Sequence, residues 1–78
     1  MYFDSIKLKY HMAKKGYTIE NLAKALDMNA ATLSRKINGR SDFYRSEINE
    51  VKELLNLTDD EVIGIFLTKN LRKRKKSS

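Results

Sequence analysis

Apolar residues recur along this 78-residue chain at three- and four-residue intervals, and Gly, Asp or Asn breaks the rhythm every ten residues or so, a pattern that predicts a series of short helices. Asp4 or Ser5 can cap a first helix running to about Lys15, with Leu8 and Met12 on one stripe, Ile6, Tyr10 and Ala13 beside it, and Gly16 at its end. Tyr17 is expected to drop into the core just before Thr18 caps a second helix, whose apolar set is Ile19, Leu22, Ala23 and Leu26. Leu33 and Ile37 lie on a new stripe and therefore on a new helix axis. Between the two, Asp27-Met28-Asn29 offers a turn-tolerant residue, an apolar plug and an Asn able to cap the third helix. Gly39 closes that helix, where Gly takes a left-handed backbone without steric cost. Two short helices joined by so tight a turn follow the grammar of a helix-turn-helix.

The second half continues the pattern. The loop from Arg40 to Arg45 contains Phe43 and Tyr44, and at least one of these is expected to be buried and to pin it. Ser46 reads as the cap of a fourth helix with Ile48, Val51, Leu54 and Leu55 inward and Glu47, Asn49, Glu50 and Glu53 outward. Thr58-Asp59-Asp60-Glu61 is a capping box whose acids also suit the positive end of the helix dipole. In the fifth helix Val62, Ile65 and Phe66 form one stripe, while Ile63, Leu67 and Leu71 form a second. One helix cannot bury both in a small core, so the second stripe is expected to meet a partner, most simply a second copy of the chain. The alternative is a wide core-facing helix with an exposed leucine or two.

Composition narrows this to one all-α domain, residues 1–71, with a basic tail over 72–78 expected to be disordered when free. The chain has no Pro, three Gly and no Cys, which favours helix over sheet and removes disulfides and thiolate metal sites. Its longest apolar run, Val62 to Leu67, is too short to span a bilayer, and MYFDSIKLKY lacks the apolar core of a signal peptide. The cytoplasm is therefore expected. Charge is unevenly placed: the net +6 belongs wholly to residues 69–76, because residues 1–68 hold ten basic and ten acidic side chains. Within that balanced part, residues 29–45 carry Arg35, Lys36, Arg40 and Arg45 against Asp42, whereas 46–68 carry Lys52 against six acids. A cationic front and an acidic back result, and a polyanion would approach from the front.

Together, Gly16-Tyr17-Thr18, Leu22-Ala23, Leu26, Thr32-Leu33-Ser34, Asn38-Gly39, Glu47-Ile48 and Leu55-Asn56-Leu57-Thr58 resemble the Cro/C1-type (λ-repressor-like) helix-turn-helix family over about residues 4–67. Phe43, Glu47-Ile48 and Ile65-Phe66 make the likeness nearest to small phage Cro-type repressors. No single motif is specific; their order and spacing are. The resemblance implies a compact five-helix DNA-binding domain with the helix-turn-helix at helices 2 and 3. The chain departs from the family pattern at Ile19, where members often place a DNA-contacting Gln, and at Asp27, the usual turn Gly. It departs again at Met12 and Ile37, where many members bury an Arg–Glu pair, and replacing both charges together by apolar residues is a coherent exchange.

With Leu33 and Ile37 facing the core, Ala30, Ala31, Ser34, Arg35 and Asn38 lie on the opposite side of the third helix, where a major groove would sit. Ala30, Ala31, Ser34 and Arg35 are the expected base readers: an Ala methyl can pack on a thymine methyl, and Arg35 can present its fork to guanine O6 and N7. For the two alanines the alternative is helix propensity with no contact. Thr18, Asn29, Thr32, Asn38, Arg40 and Arg45 are the expected phosphate contacts, which position without specifying. Lys36, lateral on the helical wheel, is a lesser candidate. Arg72, Lys73, Arg74, Lys75 and Lys76 can add salt-dependent affinity.

The reading that follows is a phage or prophage repressor binding double-stranded DNA as a homodimer on an inverted repeat, through Ile63, Leu67 and Leu71. An autorepressing antitoxin would look almost the same, and a protein-interaction module on the same fold is the alternative from another class. A membrane-surface role for the fifth helix and tail is disfavoured by the capping acids. No enzyme, cofactor, metal or small-molecule substrate is expected, since His11 stands alone and no phosphate-cradling Gly loop or metal-ligand spacing occurs.

Overall fold

The computed structural model describes residues 3–67, the last of these by its backbone only. Over that span the chain is all-α and compact: α1 (Ser5–Lys14), α2 (Ile19–Ala25), α3 (Ala30–Ile37), α4 (Arg45–Leu54) and α5 (Asp59–Val62), the last continuing directly into a π-helical turn, Ile63–Leu67. Among the described residues no helix is long and apolar enough to cross a membrane.

The helix starts follow local chemistry. Asp4 accepts from the Lys7 N–H at 3.1 Å, Thr18 from Asn21 N–H at 3.1 Å, and Asn29 from Ala31 N–H at 2.7 Å. Each bond satisfies a backbone donor that has no partner inside its helix. The capping box at α5 is complete, with Glu61 N–H donating to Thr58 Oγ1 and Thr58 N–H to Glu61 Oε1 at 2.8 Å. At α4 the expectation of a Ser46 cap is corrected. The cap position is Tyr44, the helix starts two residues earlier at Arg45, and the Glu47 carboxylate reaches back to the Tyr44 N–H at 2.9 Å.

Four of the helices end in one and the same way. After α1 the Tyr17 N–H returns to Met12 O and Gly16 N–H to Ala13 O; after α2 Met28 returns to Ala23 and Asp27 to Lys24; after α3 Arg40 returns to Arg35 and Gly39 to Lys36; after α4 Leu57 returns to Lys52 and Asn56 to Glu53. This paired 6→1 and 5→2 pattern is the Schellman motif, and it needs a left-handed residue just past the helix. Gly16 and Gly39 supply it at φ +79° and +82°, but Asp27 and Asn56 supply it at φ 58° and 53°, with a Cβ that makes the conformation costlier. After three of these turns an apolar or aromatic residue, Tyr17, Met28 or Leu57, folds back on the core, whereas the turn after α3 is followed by the exposed Arg40.

The core gathers one face of every helix: Leu8 and Met12 from α1, Leu22, Ala23 and Leu26, Leu33 and Ile37 from α3, Val51 and Leu55, then Leu57, Val62, Ile65 and Phe66. Met12 and Ile37 are both within it. Phe43 is buried and pins its loop, while Tyr44 is 68% exposed. A ring cluster closes one end, Phe3 lying 5.3 Å from Phe43 and 5.5 Å from Phe66, with Phe43 and Phe66 edge to face at 5.2 Å. The Asp4 N–H donates to Ile65 O at 2.8 Å, so the start of the chain is tied to the π turn by the same contact region. Of the surplus stripe proposed for the fifth helix, Ile63 is half-buried; Leu67 beyond its backbone, Leu71 and the tail lie outside the described residues.

Candidate nucleic-acid interface

α2 and α3 pack against each other across the turn Leu26–Asn29, and that turn decides which face of α3 is left outside. Leu33 and Ile37 are buried, and so is Lys36, which is 6% exposed. The opposite stripe, Ala31, Ser34, Arg35 and Asn38, follows i, i+3, i+4, i+7 spacing, with Ala31, Arg35 and Asn38 exposed and Ser34 half-buried. Asn38 Nδ2 lies 3.5 Å from Ser34 Oγ, a long contact along this stripe. Ala30 is half-buried and packs against the core, which draws it away from the group of expected base readers. Thr32 is half-buried at the side of the helix.

Lys36 behaves unlike the arginines around it. Its Nζ donates to Asp42 O at 2.8 Å, pairs with Glu47 Oε1 at 3.1 Å and stands 4.5 Å from the centre of the Tyr44 ring. A buried ammonium needs such partners, because desolvation disfavours the charge unless donors and counter-charge are satisfied. The expectation that Lys36 is a lateral phosphate candidate is therefore corrected: it is a strut. Glu47, expected to point outward, is corrected with it, its side chain being 16% exposed and its Oε1 shared between Lys36 and the Tyr44 N–H. Sequence periodicity missed the pair because a Lys on α3 and a Glu on α4 are eleven positions apart and are joined only when the Phe43 loop folds. The available signal was the second residue of an Arg-Lys step lying next to Ile37 on the inward side of the wheel.

With that strut in place, Arg40 and Arg45 are both exposed at the two ends of the pinned loop, and Arg35 is exposed on the helix before it. Arg40 is further held by its own N–H, which closes the α3 terminus on Arg35 O at 2.9 Å. Thr18 and Asn29 are exposed and already serve as caps, but only through their acceptor oxygens. The Thr18 O–H and the Asn29 amide N–H groups remain of the type that a phosphate oxygen accepts. The acidic side chains of Glu50, Glu53, Asp59 and Asp60 are exposed on α4 and α5. Asp59 is paired with Lys52, which lowers its pKa from the usual carboxylate value through the hydrogen bond and the neighbouring charge. Arg72, Lys73, Arg74, Lys75 and Lys76 lie outside the described residues, so the structure positions none of the expected tail contacts. Among the described residues no group of three His, Cys, Asp or Glu side chains could hold a metal ion.

The family described as "Protein of unknown function (DUF739)" matches residues 1–69, and the chain belongs to that family. No curated protein and no solved structure matches it.

Proposed function

We propose that this chain is a sequence-specific, cytoplasmic DNA-binding transcriptional regulator of the λ-repressor-like class, which represses a promoter by occupying an inverted-repeat operator as a homodimer. In this reading α2 and α3 are the helix-turn-helix, and α3 enters the major groove. The observation that carries it is the outer α3 stripe of exposed Ala31, Arg35 and Asn38 with half-buried Ser34, small and cationic, on a helix whose other face is engaged in the core. A short small-residue start allows close approach to base edges, and one long bidentate cation follows on the same face. Arg35 reads guanine, Ala31 packs on a thymine methyl, and Ser34 takes a base or phosphate. Arg40, Arg45, Asn38, Asn29 and Thr18 hold phosphates around the groove, with Thr32 at its edge.

The second copy enters because one small reading unit buries too little surface for tight specific binding, and a two-fold pair doubles it. Ile63 lies on the face expected to meet that copy. Neither cofactor nor catalysis has a part in this function. The test is selection from a random duplex library, followed by salt-dependent titration of the wild type and of Arg35→Ala. An enriched inverted repeat whose preference relaxes at one base pair per half-site in the variant supports the proposal. Affinity that only tracks salt, with no sequence enriched, would sink it and turn attention to a protein partner for the same face.

A further inference from the structure

α1 carries two large apolar side chains that the core does not use. Ile6 is 79% exposed and Tyr10, one turn later, is 60% exposed. Tyr10 borders a shallow open groove of about 370 Å³ between α1 and the α5–π segment. The two banks of this groove differ in sign. Lys7 and His11 come from the α1 side, with Lys14 Nζ 5.6 Å from the Tyr10 ring, whereas Asp60 and Glu61 come from α5. Gly64 forms the floor on the α5 side, and a Cβ there would stand 3.6 Å from Lys7 Nζ.

We infer that a second copy of this chain seats on the α1–α5 groove, with Tyr10 on its α1 bank, Ile6 one turn before it on the same helix, and the Lys7 bank of one copy facing the Asp60 bank of the other. This rests on the two-fold part of the proposed function and gives it an interface. The argument for a second copy, rather than any apolar partner, is charge complementarity. A patch with one basic and one acidic bank is complementary to itself about a two-fold axis that runs along the groove, because that rotation brings α1 of one copy against α5 of the other. A like-charged groove would repel its own image. The exposed Ile6 and Tyr10 side chains of the two copies then have an apolar surface to meet. Ile63, the half-buried surplus apolar position, directly precedes Gly64 of the groove.

The experiment is sedimentation equilibrium of the full chain without DNA, up to about 0.5 mM, a range that detects even weak association. The wild type is expected to dimerise, and Ile6→Glu, at a position too exposed to disturb the fold, to raise the dissociation constant at least about tenfold. Lys7→Glu and Asp60→Lys are each expected to weaken the homodimer, while an equimolar mixture of the two forms heterodimers, since mixing restores opposite charge across both contacts. Repair by mixing is a signature that contacts within one chain cannot produce. A wild type that stays monomeric over the whole range, an Ile6→Glu variant that dimerises like the wild type, or a mixture without heterodimers would each overturn the inference. Its failure and that of the DNA reading are separable: a dimer that selects no DNA sequence keeps the interface and loses the repressor, and a monomer that selects a half-site does the reverse.

Discussion

Two helices of this protein show an outer stripe of similar geometry and opposite chemistry. α3 displays Ala31, Ser34, Arg35 and Asn38; α1 displays Ile6 and Tyr10. Neither stripe is required by the core, which takes Leu33 and Ile37 from one helix and Leu8 and Met12 from the other. In a domain this small every helix has one buried face, and packing leaves the chemistry of the other face undetermined. What stands there reports on encounters outside the fold. A small and cationic stripe suits a polyanion with a groove, and an apolar pair flanked by charges of both signs suits a matching protein surface.

The comparison predicts a sharp split between inner and outer substitutions. Leu33→Ala, on the buried side of α3, should lower stability by about 2–5 kcal/mol in urea unfolding, because it removes transfer free energy and leaves a cavity. Arg35→Ala, two positions later and exposed, should stay within about 0.5 kcal/mol of the wild type. Equal losses at the two positions would mean that the outer stripe of α3 belongs to the fold after all.

Lys36 lies between these extremes. Lys36→Ala removes the counter-charge of a mostly buried Glu47 and the tether to Asp42 O, and should destabilise by about 2 kcal/mol. On the proposed function it should also weaken binding to all DNA sequences alike, through the loop that carries Arg40 and Arg45, without changing which base is preferred. A change of preferred base in library selection would make Lys36 a reader and break the contrast with Arg35.

A smaller effect of opposite sign is expected in the turn that orients α3. Asp27→Gly relieves the left-handed penalty of about 1–2 kcal/mol at φ 58°, against about 0.5–1 kcal/mol of added unfolded-chain entropy. The variant should gain up to about 1.5 kcal/mol in thermal or urea unfolding. A loss would show that the Asp27 side chain has a role of its own at this corner, which bears on how firmly the α3 stripe is aimed.

The smallest effect concerns the acidic bank of the α1 groove. The Thr58 N–H hydrogen bond, and more weakly the charges of His11 and Lys14, hold the Glu61 carboxyl below its usual pKa of 4.5. A carboxylate that is easier to ionise in the folded state contributes stability above its unfolded pKa and loses it as pH falls through the depressed folded value. Stability should therefore fall on acidification below about 4.5 by this route, and Glu61→Gln should flatten that part of the acid limb in pH-dependent unfolding. An acid limb unchanged by the substitution would assign it to other carboxylates.

Local chemistry alone determined where most of these helices begin and end. Asp4, Thr18, Asn29 and Thr58 are caps because a side-chain oxygen two or three residues before a backbone N–H can reach it without help from the rest of the chain. Gly16 and Gly39 are stops for an equally local reason, and the apolar stripes named the core because burial follows helical period. The α3 stripe was legible in the same way, as the complement of Leu33 and Ile37. Other features depended on contacts between distant parts of the chain. Over five residues an apolar run fits an α or a π turn equally well, so the form of Ile63–Leu67 could not be read from spacing. Tyr44 became the α4 cap, and Lys36 and Glu47 became a buried pair, only once Phe43 was seated against Phe3 and Phe66. The groove beside Tyr10 likewise exists only where α1 meets α5, helices brought together by a backbone bond from Asp4 to Ile65. Sequence spacing records which residues share a face of one helix; which cation is buried and which apolar pair is left outside is decided when those faces meet.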